Sequence, residues 1–99
     1  MIIKHCVQLQ KRALVKLRRL KRNRSSCKQK ILKAKITYLA AAKWLEHKAE
    51  DENNNISAKR IVSEIMPDSD IAVKNSWESF LKTKGFLADS KYKFANESN

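Results

Sequence analysis

The sequence predicts a mainly α-helical protein, in which a basic N-terminal helix precedes a three-helix domain that ends in a short β-hairpin. Apolar residues recur at helical spacing through most of the chain. The 99 residues include one glycine and one proline, so long helices and few tight turns are expected. Near the C-terminus, charged and aromatic residues alternate with a period of two, which favours a strand. We predict a basic arm at 1–26, a folded domain at 27–95 and a disordered tail at 96–99.

The first helix is predicted from Val7 to about Arg22. Its apolar positions keep one face free of charge: Leu9, Ala13, Leu17 and Leu20. Six cations cover the broad arc beyond: Lys11, Arg12, Lys16, Arg18, Arg19 and Arg22. Because these cations crowd one side of a thin apolar stripe, we expect the helix to be ordered only against the domain, a second protomer or a polyanion.

The second helix is predicted from Cys27 to about Glu50, with Ser26 as its N-cap and Gln29 completing a capping box. Alanines at 40–42 would let a neighbouring helix approach closely. Trp44 falls away from the main apolar face, so it either contacts a partner or packs on the basic arm, and packing is favoured. The predicted main face consists of Ile31, Tyr38, Ala42, Leu45 and Ala49, and it is extended by Leu32, Ile36 and Leu39.

The third helix is short and has clear boundaries. Ser57 is its predicted cap, and Pro67 ends it. Its predicted inner face consists of Ala58, Ile61, Val62, Ile65 and Met66.

The fourth helix is predicted from about Ile71 to Lys84, with Gly85 as a left-handed C-cap. Three residues are alternative N-caps, and the sequence does not choose between them: Asp68, Ser69 and Asp70. The predicted buried face is Val73, Trp77, Phe80 and Leu81. The predicted outer side is Asn75, Glu78, Ser79 and Lys82, with Lys74 at its margin. A hairpin over 86–94 follows.

The positive charge of the chain is concentrated near its N-terminus. The formal net charge is +12, and residues 1–35 contain 13 Lys or Arg and no acidic residue. The other 64 residues contain 9 basic and 10 acidic side chains. A segregated basic segment favours DNA, RNA or an anionic membrane surface as a partner. The alternative is a solvated basic tail that binds nothing specifically.

Other classes of function lack a signal in the sequence. Cys6, Cys27 and His47 do not have the spacing of a metal site, so no metal or cofactor is expected. No nucleophile–histidine set, phosphate loop or carboxylate pair indicates an enzyme. The opening residues do not form a signal-peptide core, and no apolar run is long enough to span a bilayer. We therefore expect an intracellular protein with free thiols and no transmembrane segment.

The order helix, short helix, turn, helix, followed by KGFLADSKYKF, resembles the winged helix-turn-helix superfamily over about residues 35–95. The glycine after the helix, the apolar strand and the Tyr-x-Phe return strand carry the resemblance. It implies a winged-helix-like domain. In many members, the helix that corresponds to the fourth helix of this chain lies in the DNA major groove, and the wing contacts the backbone. Other members only pair with proteins, so fold alone does not fix the function.

For a DNA ligand, the resemblance implies roles for particular residues. Lys74, Asn75 and Ser79 would face the groove, and the Asn75 amide could bond adenine bidentately. Lys91 and Lys93 on the wing would contact phosphate.

The leading hypothesis is a small nucleic-acid-binding protein, a DNA-binding regulator of transcription or an accessory factor. DNA is the leading partner and RNA the alternative; a protein partner or a homodimer also stays open. The arm residues expected to bind phosphates are Arg12, Arg18, Arg19, Arg22 and Arg24. The runner-up is a protein-interaction adaptor with an RNA-binding arm, and a third hypothesis is attachment to an anionic membrane surface.

Overall fold

The computed structural model describes residues 1–23 and 27–87, and the prediction of a mainly α-helical protein is confirmed. Four helices form this part of the chain: α1 (Ile3–Arg22), α2 (Lys28–Glu50), α3 (Ala58–Ile65) and α4 (Ile71–Thr83). The predicted hairpin lies outside the described residues from 88 onward. Its first residues, Phe86 and Leu87, are described, and Leu87 forms an isolated parallel bridge with Ser57 instead of part of a strand.

The helices α1 and α2 pack against each other as an antiparallel pair. Near the start of α1, the Cys6 Sγ lies 3.5 Å from the carbonyl oxygen of Ala41 in the second half of α2. Further along α1, Ala13 lines the same cleft as Ala34 in the first half of α2. The helix begins at Ile3, four residues before the predicted start. Of the three supports expected for this helix (the domain, a second protomer or a polyanion), the structure shows the first, because α1 packs on α2.

The buried face of α2 differs from the predicted one. The buried residues are Ala34, Ile36, Thr37, Ala40, Ala41 and Trp44. This face lies about 130° around the helix from the predicted one. The predicted close approach of a helix at the alanines is confirmed, because Ala40 and Ala41 are completely buried and the Ala41 carbonyl oxygen lies 3.5 Å from Cys6 of α1. Of the predicted face, Ile31, Tyr38, Ala42 and Leu45 are half-buried and Ala49 is exposed. Of its predicted extension, Ile36 is buried, Leu39 is half-buried and Leu32 is exposed.

Trp44 packs in the fold, which confirms the favoured interpretation, since only 3% of it is exposed. At the start of α2, Cys27 is the N-cap residue. The capping box predicted from Ser26 falls on a residue outside the described part of the chain.

Residues from all four helices form the hydrophobic core. The predicted inner face of α3 is confirmed, because Ala58, Ile61 and Val62 are completely buried. Ser57 caps this helix as predicted: its Oγ accepts a hydrogen bond from the Arg60 N–H at 3.1 Å. The other helices contribute Cys6, Ile36, Ala40, Ala41, Trp44 and Leu81, and flanking residues Ile56 and Phe86 complete the core.

Both ends of α4 follow the sequence signals. Asp70 is the N-cap among the three alternatives, since its Oδ1 accepts a hydrogen bond from the Val73 N–H at 2.9 Å. Gly85 has φ +104°, which confirms the predicted left-handed C-cap. An alanine there would be strained by its backbone angle, although its Cβ would lie at an ordinary 3.5 Å from the His5 ring.

The buried face of α4 is rotated by roughly 80° from the predicted one. Leu81 is fully buried as expected, but Val73 is 42% exposed, and Trp77 and Phe80 are half-buried. The predicted apolar face is therefore only partly buried, and its exposed part lies beside the first half of α2.

Two charged residues of α4 are buried instead of the predicted apolar face. Lys74 is 4% exposed and Glu78 is 8% exposed, so the prediction that both face outwards is wrong. Long charged side chains can bury their methylene stems while their head groups stay paired. Glu78 follows this pattern, because its Oε2 lies 3.3 Å from the Nζ of the exposed Lys82 one turn later.

Candidate nucleic-acid interface

The solvent-facing side of α1 and the first half of α2 carry a continuous set of cations. The four arginines of α1 fall within an arc of about 120°, on the side away from Cys6, Ala13 and Leu17. We term the following twelve exposed side chains the basic hairpin: Lys4, Lys11, Arg12, Lys16, Arg18, Arg19, Lys21, Arg22, Lys28, Lys30, Lys33 and Lys35.

No carboxylate forms an ion pair with the basic hairpin within the described residues. The first acidic residue of the sequence is Glu46. Four ion pairs in residues 1–23 and 27–87 lie elsewhere: Lys43–Glu46, His47–Glu64, Arg60–Glu64 and Glu78–Lys82. The acidic run at 50–52 is exposed at the opposite end of α2 and forms none of them. The charge of the basic hairpin is therefore available to an external anion.

A cleft of about 280 Å³ opens where α4 meets the basic hairpin. Four cations line it, so we term it the four-cation cleft: Arg12, Lys16, Lys33 and Lys84. Apolar residues and a threonine complete the lining: Leu9, Ala13, Ala34, Thr37 and Phe80. The cleft thus combines positive charge from three different parts of the fold with an apolar base.

The Phe80 ring positions two of these cations. The Lys33 Nζ lies 5.9 Å from the ring centroid, and the Lys84 Nζ lies 5.3 Å from it. At these distances each ammonium is attracted by the ring quadrupole. An aromatic side chain therefore holds two lysines at the cleft before any ligand binds.

Two shallower grooves adjoin the four-cation cleft. The first runs along α1, and we term it the α1 groove; it is lined by Lys11, Arg12, Val15, Lys16 and Arg19. The second lies between α2 and α4, and we term it the aromatic groove; it is lined by Gln29, Leu32, Lys33, Ala72, Val73, Ser76, Trp77 and Phe80. Arg12 and Lys16 belong to both the cleft and the α1 groove, while Lys33 and Phe80 belong to both the cleft and the aromatic groove.

The structure separates the residues that the sequence proposed for binding. On α1, the exposed side of the helix brings together Arg12, Arg18, Arg19 and Arg22. On α4, Asn75 and Ser79 are exposed, whereas Lys74 is buried and does not lie on the surface proposed to face a groove. The predicted binding residues Arg24, Lys91 and Lys93 lie outside the described residues.

The assignments from sequence missed the four-cation cleft as a unit. Lys84 lies one turn after Phe80, but Lys33 is far away in the chain and reaches the same ring only because α4 lies beside the first half of α2. The one available signal was the Phe80 and Trp77 pair, which the sequence placed wholly in the core.

The two cysteines offer a test of how α1 packs. Cys6 is completely buried, and burial raises the pKa of its thiol to about 11. Cys27 is exposed, and the backbone N–H groups of Gln29 and Lys30 lower the pKa of its thiol below the ordinary value. Because the thiolate is the reactive form, we expect iodoacetamide near pH 8 to modify Cys27 in the folded protein and to spare Cys6 until denaturant is added. Peptide mass spectrometry measures both rates, and equal rates in the folded protein would contradict the packing of α1 on α2.

Comparison of the chain with protein-family models, with curated proteins and with solved structures gave no match. Within residues 1–23 and 27–87, no group of three or more His, Cys, Asp or Glu side chains is placed to hold a metal ion. Over the same residues, no helix has both the length and the apolar character that a membrane span requires. The function is therefore inferred from the geometry and charge of the site.

Proposed function

We propose that this protein binds nucleic acid and holds the phosphate backbone with the basic hairpin, with DNA as the leading ligand and RNA as the alternative. The supporting observation is the set of twelve exposed cations on two packed helices, with no carboxylate paired to them in the described residues. Contacts of Lys and Arg with phosphate supply affinity that does not depend on sequence. Cations fixed on packed helices bind with less loss of conformational freedom than those of a solvated tail.

We also propose that α2, α3 and α4 form a winged-helix-like domain, with the chain after Gly85 as the wing. In support, the Ala58 N–H donates to the Leu87 carbonyl at 2.7 Å, so the chain after α4 returns beside the start of α3. In this arrangement Asn75 and Ser79 remain the candidates for contact with a DNA groove. The protein would then act as a DNA-binding regulator or accessory factor.

The second candidate is a protein-interaction adaptor whose basic hairpin binds RNA. The surroundings of Asn75 and Ser79 favour it, because Lys74 is buried and the exposed cation on that side of α4, Lys82, is paired with Glu78. A helix that reads a DNA groove usually has positive charge beside its base-reading residues. Backbone binding by the basic hairpin is common to both candidates.

The test is a salt series on the full chain, with fluorescence anisotropy of labelled duplex DNA and RNA and with anionic vesicles. If six to ten phosphates are contacted, we expect the affinity for nucleic acid to fall by about 10³- to 10⁵-fold between about 50 and about 200 mM salt. Affinity that is insensitive to salt would contradict the proposal. Binding to vesicles without binding to nucleic acid would overturn it in favour of membrane attachment.

A further inference from the structure

We propose, on the basis of the nucleic-acid-binding function above, that the four-cation cleft and the aromatic groove together hold one nucleotide of a single strand. Its phosphate lies in the cleft, and its unpaired base lies against Trp77 in the groove. The protein therefore prefers single-stranded DNA or RNA to a duplex of the same length. This preference extends the proposed backbone binding and is an alternative to groove contact by Asn75 and Ser79.

The cleft has the charge and size for a phosphate group. Two cations come from α1, one from α2 and one from the C-cap of α4, and no carboxylate is among the residues that line it. The two lysines held by Phe80 are already positioned at the cleft, so binding orders fewer side chains. A volume of about 280 Å³ suits a small anionic group, whereas the width of a duplex would bridge the mouth of the cleft.

The aromatic groove adds apolar surface and an aromatic ring, which can bind a base. Leu32 is 40% exposed and Val73 is 42% exposed, so both walls of the groove present apolar surface to solvent. Trp77 meets Phe80 in a T-shaped contact, with ring centroids 5.4 Å apart and planes at 89°. This contact fixes the Trp77 ring within the groove. Aromatic rings beside a positive groove are typical of sites for single-stranded nucleic acid, where unpaired bases stack on the rings.

The shared residues connect the two parts of the site. Lys33 and Phe80 line both the cleft and the aromatic groove, so a phosphate and the base beside it can be bound together. Arg12 and Lys16 continue the cleft into the α1 groove, where Lys11 and Arg19 can take the next phosphates. In a duplex the bases are stacked inside the helix, so the aromatic groove would stay empty. An anionic lipid surface likewise presents no planar base to Trp77.

The first experiment removes charge from the cleft and from a matched surface. One variant carries Lys16→Gln, Lys33→Gln and Lys84→Gln, and the control carries the same change at three exposed lysines that line neither groove: Lys21, Lys30 and Lys35. The probes are oligo(dT) and oligo(rU) of about 12 nucleotides and a duplex of equal length. We expect the cleft variant to lose about tenfold more affinity for the single strands than the control loses.

The outcomes separate the two proposals. Equal losses in both variants would overturn the cleft as a site and leave the proposed function standing. A wild-type protein that binds duplex more tightly than either single strand would also overturn the inference alone. A wild-type protein that binds no nucleic acid would overturn both.

The second experiment follows Trp77 directly. Trp44→Phe leaves Trp77 as the single tryptophan, and we expect its emission to be quenched by single strands but not by duplex or by phosphatidylglycerol vesicles. Trp77→Leu should reduce affinity for single strands by about tenfold, as expected for the loss of one stacked base. Tyr38→Leu is the control, since Tyr38 is a half-buried aromatic residue that lines neither groove. Unchanged Trp77 emission in the presence of saturating oligo(dT) and oligo(rU) would overturn the placement of the base.

Discussion

Replacement of Trp44 with alanine is expected to lower the free energy of unfolding by about 3–5 kcal/mol. Trp44 is 3% exposed and belongs to a core that all four helices share, so its removal leaves a large cavity. The Lys48 Nζ also lies 5.4 Å from its ring centroid, and this cation–π contact would be lost. Because domains of this size are stable by only about 5–15 kcal/mol, the variant should lose a substantial part of its stability and unfold at a clearly lower urea concentration.

A matched substitution on the same helix tests which face of α2 is buried. Leu32→Ala removes an apolar side chain that is 40% exposed, and it should change the free energy of unfolding by only about 0.5 kcal/mol. Urea unfolding, followed by circular dichroism, measures both changes in the free energy of unfolding. Each is the shift in midpoint multiplied by a common m value. If Leu32→Ala were as destabilising as Trp44→Ala, the orientation of α2 described here would be wrong.

Local signals in the sequence were sufficient for the number of helices and for most of their ends. Ser57, Asp70 and Gly85 act on their own helix termini through short-range hydrogen bonds or backbone angles, so nearby residues determine them. The inner face of α3 was also predictable, because this helix is short and has a single apolar arc.

The orientations of α2 and α4 depended on other helices and were not predictable from periodicity. In α2 several arcs are apolar, and the one that is buried contains Ala40 and Ala41, whose size lets α1 approach closely. In α4 the buried positions include Lys74 and Glu78, which the rule that places charged side chains outside cannot anticipate. Hydrophobic pattern identifies candidate faces, and the shape of the neighbouring helix selects among them.

The candidate site likewise has one part that the sequence predicts and one part that only the packing of the helices creates. The cations of α1 were predictable, since their exposure follows from the apolar stripe of their own helix. The four-cation cleft was not, because Lys33, Phe80 and Lys84 meet only once α4 has taken its observed orientation. The rotation of α4 leaves Trp77 and Phe80 only half-buried against the core, and it places their exposed parts beside the cations.

The largest functional effect is expected from the arginines of α1. We expect a variant with glutamine at all four positions to lose at least about 100-fold in affinity for nucleic acid at about 0.1 M salt. Each lost phosphate contact should also reduce the slope of log affinity against log salt by about 1 on duplex DNA. The four substitutions are Arg12→Gln, Arg18→Gln, Arg19→Gln and Arg22→Gln, all at exposed positions of one helix face.

The control replaces the same four arginines with lysine, which keeps the charge and should keep most of the affinity and salt dependence. Unfolding cannot explain a loss in the glutamine variant, because removing four like charges from one side of α1 should relieve repulsion and leave the melting temperature unchanged or higher. Circular dichroism checks this point before binding is measured. If the glutamine variant kept both its affinity and its salt slope, the phosphates would lie elsewhere, and the basic hairpin would be a solvated surface without a ligand.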